Sequence, residues 1–396
     1  MTDPLFLLAQ KVIKKLEAHH YRAYIVGGAV RDALLKRQVD DIDITTSALP
    51  EDIQQIFPKV IPTGLQHGTV TVRFQQTSFE VTTFRTEGKY SDFRRPDQVQ
   101  FVSDLKEDLA RRDFTMNAIA MDSSFQLIDP FAGIKDMECK LIRTVGDPNQ
   151  RFLEDPLRMM RAIRFQSQLG FLIDQAAIQA IMRHRKWLSK IAVERIAVEW
   201  GKTITGSHFP QANQSLVDSG LIKYLPVMAG HNGIRQVMKG LDQSFTSIAA
   251  FVAYMHLQDQ TVSISTWKRE WKFSNQIKRD SETLYKSVVS YPANSLSWIV
   301  YQLENHLLTD FQFLFQVYHQ QQWSVSYLRQ QKESLPIVSR SELAVNGKDI
   351  IALFPNRQKG AWIQEILSAV EKAVVEQEVH NNKTDIREWL QNNDFQ

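Results

Sequence analysis

Apolar and polar positions divide the chain into two regimes. The opening stretch, MTDPLFLLAQKVIKKLEAHH, spaces its apolar residues at helical intervals among lysines and a glutamate, and predicts an amphipathic helix. Beyond it, short β-branched or aromatic runs alternate with turn signals: Tyr24–Val26, Ile42–Thr45, Thr69–Phe74, Phe79–Phe84 and Gln100–Val102. These read as strands of one sheet. Helical patterns fall between them at Ala29–Lys36, opened by Gly27-Gly28, and at Pro50–Phe57, where proline suits a helix start. From about Asp147 onward the strand signal disappears and helical periodicities take over, as in Leu157, Met160, Ile163 and Phe165 or Ala177, Ile178, Ile181 and Leu188. Pro148, Pro210, Pro226, Pro292, Pro336 and Pro355 punctuate this half, with turns at Gly206-Ser207 and Asn232-Gly233. The prediction is an α+β chain: a mixed-sheet head followed by helices. Residues 86–96, TEGKYSDFRRP, are polar and strand-bounded and read as a mobile loop.

At 396 residues the chain is long enough for two to four domains at the usual ~100–200 residues each. Its formal net charge of +3 does not by itself advertise a nucleic-acid partner. The distribution says more. Residues 1–150 carry 19 basic and 21 acidic side chains, residues 151–205 carry 10 and 5, and the remainder carries 18 of each. The whole positive excess therefore sits just after the sheet region. Cys139 is the only cysteine, which excludes an intramolecular disulfide and a cysteine-rich zinc site. The longest apolar run, near Ile248–Leu257, falls short of the ~20 residues that a membrane-spanning helix needs. The N-terminus lacks a basic segment ahead of its apolar run, so a soluble, cytoplasmic protein is expected.

The densest chemical signal is IVGGAVRDALLKRQVDDIDI, residues 25–44. Glycines at a strand-to-helix turn let backbone N–H groups approach a phosphate, and a helix N-terminus favours negative charge there. Asp41 and Asp43, two apart on a predicted strand, share a face, while Ile42 and Ile44 pack the other way. Paired carboxylates of this kind are hard-oxygen ligands that suit Mg²⁺ together with substrate phosphates. Each piece alone has an ordinary explanation, since Gly-Gly pairs form turns and Asp-x-Asp is usually solvated. The combination of Gly27-Gly28, Arg31-Asp32 and Asp41-x-Asp43 resembles the nucleotidyltransferases of the DNA polymerase β superfamily. More narrowly, it resembles the bacterial class II CCA-adding enzymes, tRNA nucleotidyltransferases, and their poly(A) polymerase relatives.

Further blocks match the same family: LARRDFTMNAIA at 109–120, DPFAGIKD at 129–136, EDPLRMMRAIRF at 154–165, Glu194-Arg195-Ile196 followed by Glu199, and GAWIQEILSAVEKAVV at 360–375. The resemblance implies an elongated molecule with a catalytic head (1–145), a helical neck that recognises the base (146–210), a helical body (211–330) and a tRNA-binding tail (331–396). It implies template-independent addition of CCA to the tRNA 3′ end from CTP and ATP, repair of damaged ends, and release of pyrophosphate. Asp41 and Asp43 would bind two Mg²⁺ ions, with Glu80 a third carboxylate. Asp155 and Arg158 would read the base, accepting from and donating to the amino and ring-nitrogen edges that cytosine and adenine share. Uracil and guanine would set a carbonyl oxygen against Asp155 and be rejected. Arg112, Arg161 and Arg164 would contact phosphates or sugar, with Gly28 and Arg31 completing the cradle. The 86–96 loop would reshape the pocket between C and A addition.

Several alternatives stay open at this point. Arg158, Arg161 and Arg164, recurring every third residue after Asp155, also fit a solvated salt-bridge face of one helix. Glu80 also fits an edge-strand residue facing water. A poly(A) polymerase, a CC-adding or A-adding specialist and a non-catalytic RNA-binding relative share parts of the pattern, and a homodimer is left open. Lys268-Arg269, Lys272 and Lys278-Arg279, interleaved with Trp267, Trp271 and Phe273, form either an RNA-binding patch or a plain amphipathic helix. His67, without partners in the sequence, reads as a turn or packing residue.

Overall fold

The computed structural model describes residues 3–88 and 99–393. The chain forms two compact units, residues 1–244 and 245–396.

In the first unit, helix α1 (Pro4–Glu17) is capped by Asp3 and buries Phe6, Ala9, Val12, Ile13 and Leu16, as its apolar spacing predicts. The head then builds β1 (Ala23–Val26), α2 (Gly28–Leu34), β2 (Asp43–Thr46), α3 (Pro50–Ile56), β3 (Val60–Gly64), β4 (Thr69–Phe74) and β5 (Thr77–Thr83). It continues through β6 (Arg85–Glu87), β7 (Val99–Phe101), α4 (Leu105–Ala110), β8 (Ala120–Met121), β9 (Leu127–Ile128), α5 (Gly133–Glu138) and β10 (Leu141–Ile142). Seven strands make one mixed sheet in the order β3-β4-β5-β2-β1-β8-β9. Within it β2 lies antiparallel to β1 and parallel to β5, and this brings Asp43 opposite Glu80 in register.

Two expectations about the sheet need correction. The 100–102 segment does not join the seven-stranded sheet, because β7 pairs with β6 in a separate two-stranded ribbon. Thr86 thus begins in a strand rather than a loop, and residues 89–96 of that predicted loop lie outside the described residues. Asp41 precedes β2 instead of lying within it, although the burial of Ile42 and Ile44 and the exposure of Asp41 and Asp43 keep the expected alternation.

Helices dominate from residue 148: α6 (Pro148–Glu154), α7 (Leu157–Leu169), α8 (Gln175–His184), α9 (Val193–Ile204), α10 (Phe209–Asp218) and α11 (Asn232–Lys239). One short strand, β11 (Leu172–Ile173), pairs with β10 in this half, against the expectation of helix alone. Asp155 belongs to no helix. Pro156 disfavours helical backbone at the residue before it, so α6 ends at Glu154 and Asp155 is extended, caps α7 and accepts from Leu157 N at 3.0 Å. Inside α7, Leu157, Met160 and Ile163 are buried as predicted.

The second unit is helical among its described residues: α12 (Ile248–Gln258), α13 (Ile264–Trp271), α14 (Asn275–Ser290), α15 (Leu296–Gln302), α16 (Leu308–His319), α17 (Val325–Glu333), α18 (Gly347–Leu353), α19 (Trp362–Val375) and α20 (Lys383–Asn392). One core gathers Leu284, Val300, Leu308, Phe311 and Leu314. A second gathers Ile350, Val370, Val374 and Ile386. No helix among the described residues is long and apolar enough to cross a membrane.

Candidate active site

A cleft of about 820 Å³ opens in the first unit, and its volume suits a nucleotide-sized ligand. Gly28, Arg31, Asp41, Asp43, Arg112, Asp155, Arg158, Arg161 and Arg164 all line it. Residues from three separate sequence blocks therefore meet in one place. Glu80 does not belong to the cleft walls; it stands exposed on β5 beside Asp43.

Gly27, which no side chain could replace freely, ends β1 with φ +78°, and a Cβ there would lie 3.0 Å from Arg112 Nη1 and 4.0 Å from Asp43 Oδ2. This close approach lets a buried arginine sit beside the acidic edge of the cleft. Desolvation raises the Asp43 carboxyl above its ordinary value; repulsion from Glu80 and Asp41 adds to this, and Arg112 opposes it. Excess negative charge at that edge is what a bound cation would relieve. Arg112 is itself pushed down by burial and supported by Asp108, 3.6 Å from its Nη2. Asp108 is fully buried, receives Thr45 Oγ1 at 3.1 Å and Arg111 Nη2 at 2.9 Å, and so ties the strand carrying Asp43 to both arginines.

Each arginine of α7 reaches a carboxylate. Arg158 pairs with Glu154 at 2.7 Å and donates to the Arg111 carbonyl at 3.1 Å. Arg161 pairs with Asp113 at 2.6 Å and Glu199 at 3.6 Å, and Arg164 with Glu199 at 3.1 Å. Asp113 and Glu199 come from other elements and are buried, and Glu154 is half-buried at the end of α6, so the face of α7 that carries the arginines is not a solvated surface. Burial disfavours charge on Asp113, yet Arg161, the Asn117 amide and Arg158 outweigh it and hold its carboxyl far below the usual range. Arg164 is lowered to about 10, first by burial and then by Arg161, and stays protonated at neutral pH. Arg31 pairs with Asp32 at 2.7 Å and donates to Asn117 Oδ1 at 2.7 Å. Asp155 receives Arg195 Nη2 at 2.8 Å.

Asp113, Asn117, Arg195 and Glu199 carry this network, yet none is marked as a site residue by the sequence reading. Their signal lay in RRDFTMN and in the Glu194-Arg195 block, where polar residues interrupt buried stretches that need partners. The basic segment of the second unit resolves differently. Trp267, Trp271 and Phe273 are core residues, Trp271 stacking on Phe273 and Trp267 meeting Phe251 edge-on, while Arg269, Lys272 and Arg279 face outward. The aromatic residues are thus committed to the core, and the helix is amphipathic with its cations outward. His67 lies in a turn and its carbonyl accepts from Arg85, in keeping with a turn role.

Comparison with known proteins fits this geometry. Residues 23–143 match the poly A polymerase head domain, 170–230 a probable RNA- and SrmB-binding site of polymerase A, and 241–390 a second domain of tRNA nucleotidyltransferases. The CCA-adding enzyme of Oceanobacillus iheyensis is 41% identical over 98% of both chains, and that of Anoxybacillus flavithermus is 41% identical over 97% of this chain and 96% of its own. The crystal structure of the Bacillus stearothermophilus CCA-adding enzyme in complex with CTP superposes with a TM-score of 0.87 at 37% identity, covering 99% of this chain and 98% of that one. The Thermotoga maritima CCA-adding enzyme complexed with tRNA shares the fold, with a TM-score of 0.65 at 19% identity, over 99% of this chain and 96% of that one. With full-length identity to curated CCA-adding enzymes and a cleft that unites the glycine pair, the two aspartates and the arginine helix, the chain belongs to the CCA-adding enzymes and is a nucleotidyltransferase.

Proposed function

We propose that this enzyme adds C, C and A in turn to the 3′ end of tRNA, using CTP and ATP, releasing pyrophosphate and restoring damaged ends, with side chains in place of a template. The observation that carries the reading is the meeting, in one cleft, of an acidic edge (Asp41, Asp43) and an arginine-rich wall (Arg112, Arg158, Arg161, Arg164). The head, neck, body and tail divisions at 145, 210 and 330 belong to the same proposal.

Asp41 and Asp43 would hold Mg²⁺, with Glu80 a supporting carboxylate. The donor chemistry suits a hard cation: Asp41 and Asp43 share the cleft edge, where burial and then repulsion from Glu80 raise Asp43, although among the described residues no three such groups are clustered closely enough to close a metal site by themselves. When bound by Asp41 and Asp43, with a second ion held alongside, Mg²⁺ would supply Lewis-acid chemistry to the 3′-hydroxyl and the triphosphate. The chain's own residues do the rest. Arg31, Arg112, Arg161 and Arg164 bind triphosphate and sugar, with Gly28 leaving room for a close backbone approach. Asp155 and Arg158 read the base. Their present partners, Arg195 and Glu154, hold both side chains in fixed positions, so a base with the wrong edge sets acceptor against acceptor or donor against donor.

Purified protein with Mg²⁺ is offered tRNA lacking its last three nucleotides, each NTP alone and CTP with ATP, and products are resolved at single-nucleotide length. Two C followed by one A is expected. A long A ladder would replace this reading with poly(A) synthesis, and a stop at CC with a specialist. Asp41→Ala or Asp43→Ala should lower incorporation by about a hundredfold or more while the melting temperature holds; unreduced synthesis would remove the metal assignment.

A further inference from the structure

Phe165 lies in the wall of the cleft near the end of α7 and is almost wholly buried. Three guanidinium groups gather about its ring: Arg164 at 4.1 Å from the centroid, Arg31 at 4.9 Å and Arg161 at 5.6 Å. All fall within the ~6 Å over which the negative face of an aromatic ring attracts a cation. The ring is fixed in turn by Phe114, fully buried and edge-on to it at 5.6 Å and 86°. Arg31 comes from α2 and the other two from α7, so one ring joins cations from elements far apart in sequence.

Three like charges this close repel. After burial, Arg161 is the largest cause lowering Arg164, and Arg31 contributes in the same direction. Carboxylates offset part of this through Asp32, Asp113 and Glu199, but each such pairing occupies N–H donors that an incoming anion would need. An aromatic ring attracts the positive charge through its π face and occupies no carboxylate-type hydrogen bond.

We propose that Phe165 is a positioning residue for nucleotide binding. Its ring assembles Arg31, Arg161 and Arg164 before the triphosphate arrives and takes up none of the donors that their carboxylate pairings leave. This inference rests on the reading above, that these arginines bind the nucleotide.

The test keeps the shape of the side chain and changes only its electrons. Position 165 of the full-length chain is filled in turn with mono-, di- and trifluorinated phenylalanine, and CTP binding is measured in the presence of Mg²⁺. Kd should rise step by step with fluorination, reaching about tenfold for the trifluoro ring, while kcat at saturating nucleotide changes much less. Phe165→Tyr, which keeps an electron-rich ring, should stay near wild type, and Phe165→Leu should weaken binding at least as much as full fluorination. A flat Kd across the series would overturn the proposal. Arg161→Ala and Arg164→Ala separate the two levels of inference. If they weaken CTP binding while the fluorinated series is flat, only the role of Phe165 fails; if they leave CTP binding unchanged, the nucleotide role of the arginines fails with it.

Discussion

Residues 158–164 and 268–279 look alike as sequence, since each intersperses cations with large apolar side chains. In three dimensions they are opposites. The arginines of α7 reach carboxylates on other elements, Asp113 and Glu199, and line a cleft. In α13 and α14, Arg269 pairs with Glu270 at 3.4 Å and Lys278 with Glu282 at 3.5 Å, each within its own helix, while Trp267 and Trp271 fill the core. Charge held by distant partners is structure-dependent and strongly coupled, and charge paired with its own helix neighbours is a weak, solvated interaction. The first can form a site whose polar groups are already oriented; the second mainly keeps a helix surface wet.

Four measurements would break or sharpen this contrast. Asp113→Ala leaves the half-buried Arg161 without its nearest counter-charge and should destabilise the first unit by about 1–3 kcal/mol, read from urea unfolding. The same pair carries a pH signature. Because the folded-state value of Asp113 is depressed, its stabilisation is present above the ordinary value of 3.8 and fades as pH falls toward the depressed one. Asp113→Asn should therefore flatten the acid side of the stability profile, and an unchanged acid limb would show that Asp113 is not held by Arg161. Gly27→Ala, at φ +78° with its new Cβ against Arg112, should cost about 1–3 kcal/mol and weaken nucleotide incorporation along with stability. The smallest effect is expected in the other region. Arg269→Ala and Lys278→Ala should each stay within about 0.5 kcal/mol of wild type, whereas Trp267→Ala in the same helical layer should cost about 3–5 kcal/mol. Large losses at the two cations would dissolve the distinction between the regions.

Much of the head was legible because its patterns are local. Thr69–Phe74 occurs as predicted, and the helices begun by Gly27-Gly28 and Pro50 differ from expectation only at their ends. The two-residue strands β8, β9, β10 and β11 were not legible, since two residues cannot display a period. The placement of β7 in a separate ribbon was equally hidden, because strand partners are chosen by long-range pairing. Asp155 is a different case. Pro156 announced a break before α7, and the three-residue spacing of Asp155 with the arginines obscured it.

By itself the sequence determined the division into a mixed-sheet head and helical remainder, the glycine turn, the two aspartates and the arginine series. These depend on periodicity, backbone freedom and motif spacing, all properties of neighbouring residues. Only the tertiary structure decided which charges became a site. Asp113 and Glu199 lie 48 and 38 positions from Arg161 or its neighbour by sequence number, and their coupling arises because folding removes these groups from water and leaves each the other's best partner.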